Sequence, residues 1–424
     1  MNSSIKINNK IFEKIIFIEL IFVLFERFLI QNLKTPDYII YFIDILNIFL
    51  FFGLIKNKKN IEFRGLIVLY TILLLFSSIT GILNFSTWGG NLATLSIEFR
   101  NFVRFPIFFL SCALFLDSES IRKIYKIFMV FFFVNLIFII YQYLTFHPPG
   151  VWTRGDMLNG LFGTEVGGNT FVNVSFLVVI VYALTQWSQN KFKTNRFMVL
   201  VGFTLFISAI IELKAFFVEF AMLYIWYFIA NKKTYKEFLI NIFLIFFIIF
   251  IPSIGLQIMY KEYPWFYDSM SFQGIKDQLF GSGYTGSGDL NRFTGIFTVC
   301  SKLFDGDISK TIFGLGLGNA SSKSILGSYP MFFNKFYYTH YDWFSSTYIT
   351  VQAGIFGIFI YLITFFYLFL KKKINKDYTL NSQIMCILAL FLVFYGEALK
   401  TDAGYLIYFA ISSGFIRIGG NNEQ

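Results

Sequence analysis

Histidine occurs only twice in 424 residues, cysteine three times and proline seven times. Cys112, Cys300 and Cys386 stand far apart, with no Cys-x-x-Cys or Cys/His cluster, which argues against a disulfide framework or a bound metal. Charged residues make up 14% of the chain, where soluble domains carry about a quarter. That shortage excludes an ordinary water-soluble domain. The apolar stretches are too long to be the alternating, roughly ten-residue strands of a membrane β-barrel. The net charge of +10 would suit a nucleic-acid partner in a soluble protein. In a polytopic one it reflects Lys- and Arg-rich cytoplasmic loops, so no nucleic acid is expected.

What is abundant is apolar side chain: 56% of residues are hydrophobic, 60 of them Phe, and the mean hydropathy is +0.63. A spanning helix needs about twenty predominantly apolar residues. The chain therefore reads as an all-α, polytopic membrane bundle forming one domain over 1–424. About twelve spans are expected, near 11–31, 38–55, 65–83, 102–117, 123–145, 170–187, 196–212, 215–230, 237–260, 343–370, 382–399 and 403–418. No small-residue cleavage site follows the first apolar run, so that run is expected to be a retained span. One large loop, 261–342, interrupts the series. Basic residues cluster at Lys6–Lys14, Lys56–Arg64, Arg122–Lys126, Lys191–Arg196, Lys232–Lys236 and Lys371–Lys376. Placing these inside puts both termini in the cytoplasm and the large loop on the extracytoplasmic face. No internal repeat is visible, which weakens a reading as a two-halved secondary transporter.

Charge at membrane depth is expensive and usually functional. Arg100 and Arg104, four apart on one helical face, would either snorkel to the interface or line a phosphate site. Glu212 and Lys214 lie in the hairpin between spans seven and eight. They would pair across a tight turn, or Lys214 would turn inward to hold an anion, with Glu219 a partner in the next span. The Gly-rich loop after span five offers Arg154 as an anion contact and Asn169 as the cap of span six. His147, among prolines, looks like a turn residue. In the large loop, Asp289 or Asn291 would cap a helix whose first turn carries Arg292. A cation there opposes the macrodipole and is easier to explain beside an anionic ligand. The run GLGLG at 314–318 lacks the strand and Lys-Ser/Thr of a nucleotide loop, and reads as a close-packed turn beside the site. His340 and Asp342 stand at the mouth of span ten.

This pattern resembles the O-antigen polymerase (Wzy-type) and O-antigen ligase family of bacterial membrane glycosyltransferases. The residues that carry the resemblance are Arg292, GLGLG some twenty residues later, His340, and QAGIFGIF entering the next span; TRGDMLNGLFG…GGN upstream is similar to the family's Arg–Gly–Asn loop. Where the family often has a Ser-Arg pair, this chain has Glu212-Leu213-Lys214, keeping a cation. The resemblance implies a metal-independent, cofactor-free, inverting glycosyltransferase in the bacterial cytoplasmic membrane. Its substrate would be an undecaprenyl-pyrophosphate-linked oligosaccharide, with a chain-length regulator as a further partner. It implies His340 as the base and Arg292 as the pyrophosphate contact, both catalytic, with Arg154, Lys214, Arg100, Arg104 and Asn169 as substrate-binding helpers. Three alternatives stay open. One is a ligase acting on lipid A core, and another is a lipid-linked sugar transporter. The third is a lipid-phosphate glycosyltransferase using Asp37, which is otherwise a helix cap.

Overall fold

The computed structural model describes residues 2–58, 62–147, 155–165, 167–231, 271–281, 283–285, 288–323 and 328–417, with isolated positions between 254 and 261. Arg154 and most of the ninth expected span lie outside these residues. The described chain is all-helical, with no strand beyond two isolated bridges. Among the described residues eight helices of fifteen residues or more precede the loop region: α1 (Asn2–Gln31), α2 (Phe42–Lys56), α3 (Arg64–Leu83), α4 (Leu92–Phe115), α5 (Ser118–Thr145), α6 (Gly168–Ser188), α7 (Thr194–Ile210) and α8 (Lys214–Ala230). Within 271–342 the described helices are at most nine residues long, among them α9 (Phe272–Phe280), α10 (Ile308–Phe313) and α11 (Met331–Phe336). The chain closes with α12 (Ser345–Leu370), α13 (Thr379–Tyr395) and α14 (Gly404–Ser412).

Among the described residues, six segments are long and apolar enough to cross a membrane: Asp37–Lys56, Arg64–Leu83, Ser118–Thr145, Gly168–Ser188, Ser345–Leu370 and Lys376–Tyr395. α7 and the segment Gly404–Phe415 are apolar but shorter. The outer faces of α2, α3 and α5 expose Phe51, Phe52, Leu75, Ile79, Val130 and Ile137, as a lipid-facing surface would. α6 differs: nearly all its residues are buried, because α5, α7, α8, α13 and α14 all pack around it.

The fourth helix begins ten residues earlier than the hydropathy suggests. Asn91 accepts hydrogen bonds from the Ala93 and Thr94 amides, and the Thr94 hydroxyl accepts one from the Asn91 amide. This reciprocal cap starts α4 at Leu92. Glu98 and Arg100 therefore lie inside the same helix as Arg104, ahead of the expected span.

α12 is interrupted at Gly354, whose φ of 67° and ψ of −169° no other residue type adopts cheaply. The run 314–318 wedges in beside this break. The Leu315 amide donates to the Val351 carbonyl (2.9 Å), and the Leu317 amide to the Ser77 carbonyl in α3 (2.9 Å). A Cβ on Gly316 would collide with the Gly81 backbone, and one on Gly354 with the Ile312 carbonyl. These glycines serve backbone-to-backbone packing, as the close-packed-turn reading expects.

The bundle has two polar ends of different make. One gathers Glu62 with Arg417 (3.6 Å), Lys191 with Asp377 (2.8 Å) and Asn375 with Ser118 (3.0 Å). The other gathers the turns around 156–170, 212–214, 289–292, 340–345 and 395–402.

Candidate functional site

Two turns of the 271–342 region are stitched together at the second end. The Leu290 amide donates to the Thr339 carbonyl (3.1 Å). Next to that bond, His340 Nδ1 lies 2.5 Å from Asp289 Oδ1. His340 is the C-cap of the short 3-10 turn Tyr337–Thr339 and has φ 49°, a left-handed conformation in which His is enriched among non-glycine residues. Its ring stacks on Trp343 at 3.9 Å and 14°. The imidazole stays 37% exposed while Asp289 is 18% exposed, so the ring faces outward from a more buried carboxylate. His147 is elsewhere, exposed and bonded to its neighbour's carbonyl.

Arg292 stands three residues after Asp289 in the same turn. The helix expected to begin at this point starts at Gly295, with Thr294 before it making no side-chain bond, and passes at Val299 into a π turn that ends at Leu303. Neither expected cap residue caps it. Asp289 goes to His340, and Asn291 accepts from the Gly283 amide (3.0 Å) and donates to the Asp277 carbonyl (2.8 Å). The macrodipole argument for Arg292 therefore lapses. What holds its guanidinium is a bond to the Tyr395 carbonyl (2.6 Å) and the rings of Phe344 and Tyr395, 4.7 and 4.4 Å from their centroids. Among the described residues no carboxylate comes within ion-pair distance of it. The 340–344 turn thus supplies both the histidine and one wall of the arginine's sandwich.

Lys214, distant in sequence, comes into the electrostatic reach of Arg292, along with Glu212 and Asp156. Glu212 takes φ 57° to make the tight turn, and the Lys214 amide bonds its carbonyl (2.8 Å). Burial pushes the Lys214 ammonium below the usual lysine range; Glu212 and Asp156 oppose this and Arg292 adds to it. Asn169 is not the cap of α6. Gly167, with φ 92°, takes that position, and Asn169 sits inside the first turn with its amide 3.5 Å from Asp156. Below them Glu219 is fully buried and accepts from Asn173 (2.8 Å). Tyr395 lies within electrostatic reach of Arg292, Glu219 and Asp156 together.

The turn between α13 and α14 was not singled out from sequence, yet it anchors this end. Gly396 accepts from the Ser345 amide (2.9 Å), Glu397 from the Thr170 hydroxyl (3.0 Å), and the Lys400 ammonium bonds the Asp342 carbonyl. Three charges within six residues, between two apolar runs, were the available signal.

Arg100 and Arg104 have no bond to the 289–292 turn, although Arg104 reaches Asp402 and the Lys400 carbonyl in the turn that anchors this end. Arg100 pairs with Asp44 of α2 (2.6 Å). Arg104 is 4% exposed and pairs with Asp402, so it does not snorkel. Around it lies a polar network inside the bundle: Glu26 meets Asp402, and Asn47 donates to Glu19 (2.7 Å) and to the Tyr405 hydroxyl (2.5 Å). Glu19 and Glu26, seven apart on α1, are both buried. A cleft between Glu62, Leu110, Ile374 and Arg417 lies at the opposite end of the bundle.

No family model, curated protein or solved structure matches this chain. The chemistry available at the Arg292 end must be judged from its groups alone. They are a guanidinium held by a carbonyl and rings rather than by an acid, a lysine in the field of Glu212 and Asp156, and an outward imidazole with a carboxylate behind it.

Proposed function

We propose that the chain is a membrane glycosyltransferase that polymerises undecaprenyl-pyrophosphate-linked oligosaccharide units into surface polysaccharide. The work would be done at the outer face of the bacterial cytoplasmic membrane, by a bundle of about twelve spans with the 261–342 loop as its active face. The observation that carries this is the Arg292 guanidinium, oriented by the Tyr395 carbonyl and two rings with no carboxylate among the described residues on it, beside the turn that holds the His340–Asp289 pair. A half-buried guanidinium with no acid on it keeps donors in the fork geometry that a pyrophosphate's oxygens match.

In this reading an acceptor hydroxyl oxygen attacks the anomeric carbon from the face opposite the leaving group. The bond from that carbon to the pyrophosphate oxygen breaks, and its electron pair leaves with the pyrophosphate. His340 accepts the hydroxyl proton. Arg292 donates to the oxygens on which charge builds, and Lys214 adds a point charge beside it. Arg154 is a further helper in the proposal. Arg100 and Arg104, engaged by Asp44 and Asp402, are withdrawn as direct contacts.

The buried network of Glu19, Glu26, Arg104 and Asp402 favours a second reading, a transporter of lipid-linked sugar. Ionisable groups inside a bundle often line a pathway. Glu19, near the middle of α1, is wholly buried.

The test is reconstitution in liposomes with a synthetic lipid-linked oligosaccharide. A ladder of products that disappears in His340→Ala, with the protein still inserted, supports the polymerase. A ladder from His340→Ala removes the base. Movement of the substrate across the bilayer without any ladder supports the transporter. Product found only on a lipid A core acceptor would instead mark a ligase.

A further inference from the structure

We propose that Asp289 fixes His340 as a single tautomer, with the proton on Nδ1 and the lone pair on Nε2. An imidazole free in solution favours neither presentation strongly enough to serve as an aimed base, and the bond made by one ring nitrogen decides the state of the other.

Four observations converge on this pair. Nδ1 and Oδ1 are 2.5 Å apart, in direct hydrogen-bond contact. The carboxylate is the more buried partner, so it is the less free to turn away. The Leu290–Thr339 backbone bond holds the two residues' segments in register. Finally, the ring is clamped face to face by Trp343, whose own amide donates to the His340 carbonyl (2.9 Å). Rotating the imidazole to exchange its nitrogens would give up both the carboxylate bond and the stack. A carboxylate can only accept, so a neutral imidazole that meets it through Nδ1 must carry its proton there. Nε2 is then the basic nitrogen on a ring that is over one-third exposed.

Asp289 is by this account a positioning residue. Its relevance to turnover rests on the proposed function; the tautomer does not. The chain's two histidines make the test direct. Protein labelled with 15N-histidine gives one imidazole besides His340, and His147→Asn assigns it. In alkaline buffer, the wild type is expected to show a protonated Nδ1 and a bare Nε2 at His340. Asp289→Asn keeps the shape but can donate to Nδ1, and should move the proton to Nε2. Asp289→Ala should move it at least in part. A wild-type His340 protonated on Nε2, or a tautomer unchanged in both variants, overturns the assignment.

In the reconstituted reaction Asp289→Asn should lower kcat by roughly a hundredfold or more with KM little changed. The shifted tautomer without any loss of kcat would uphold the assignment and remove His340 as the base.

Discussion

Arg104 and Arg292 are both guanidiniums near aromatic rings in the same helical bundle, but their surroundings are opposite. Arg104 is almost wholly enclosed and meets the carboxylate of Asp402, with its charge answered inside the molecule. Arg292 is half-buried and meets a carbonyl and two rings, which orient the fork without cancelling its charge. A buried, paired arginine is a structural rivet. An oriented, unneutralised one keeps donors for a ligand. The contrast separates two cations that the resemblance had offered together as substrate contacts.

The contrast breaks most decisively at Arg104. Arg104→Ala leaves Asp402 buried without its cation, and should remove about 3–5 kcal/mol of stability, read as a large fall in melting temperature in detergent. Arg292→Ala should leave that temperature nearly unchanged while cutting product formation roughly a hundred- to thousandfold. If the two variants behave alike in either measurement, the distinction between them is lost.

A smaller effect sharpens the same comparison at Lys214. Its ammonium is held below the usual lysine range, so it gives up its proton earlier as pH rises and its charge disappears on the alkaline side. Activity should therefore decline there before an ordinary lysine would titrate. Lys214→Arg should flatten that alkaline limb, since guanidinium stays charged. An unchanged limb would show that Lys214 is not among the groups that matter. Least affected should be Asn169→Ala. It loses one long bond to Asp156 and should slow turnover by about fivefold, in line with roughly 1 kcal/mol for a single hydrogen bond. A hundredfold loss would promote Asn169 from a neighbour of the site to a direct contact.

Much of the helical layout was legible in the sequence, because apolar runs of the right length leave a chain little alternative. α3, α5, α6, α7 and α8 begin and end within a few residues of the hydropathy boundaries. α4 was misjudged, since Glu98, Arg100 and Arg104 look like an interface until their partners on other helices are known. Asp44 and Asp402 supply those partners, and pairing across hundreds of residues leaves no local trace. Glu19 and Glu26 were visible after all: seven residues apart, they share one face of an otherwise apolar helix. His340 and Arg292 could be found from resemblance and rarity. Asp289 could not be matched to the imidazole, because both helix capping and ion pairing suit an aspartate in a turn, and only tertiary placement chooses.

The discontinuity at Gly354 leaves α12 in two pieces that do not act as one lever. The upper piece, Ser345–Ala353, is tied sideways to the glycine tongue at Val351 and to the Gly396 turn at Ser345, and it carries the bend from which His340 projects. The lower shaft answers to the hydrocarbon around it. In a thicker or thinner bilayer, a tilt of that shaft is expected to be absorbed at Gly354 before it reaches the turn that bears the imidazole.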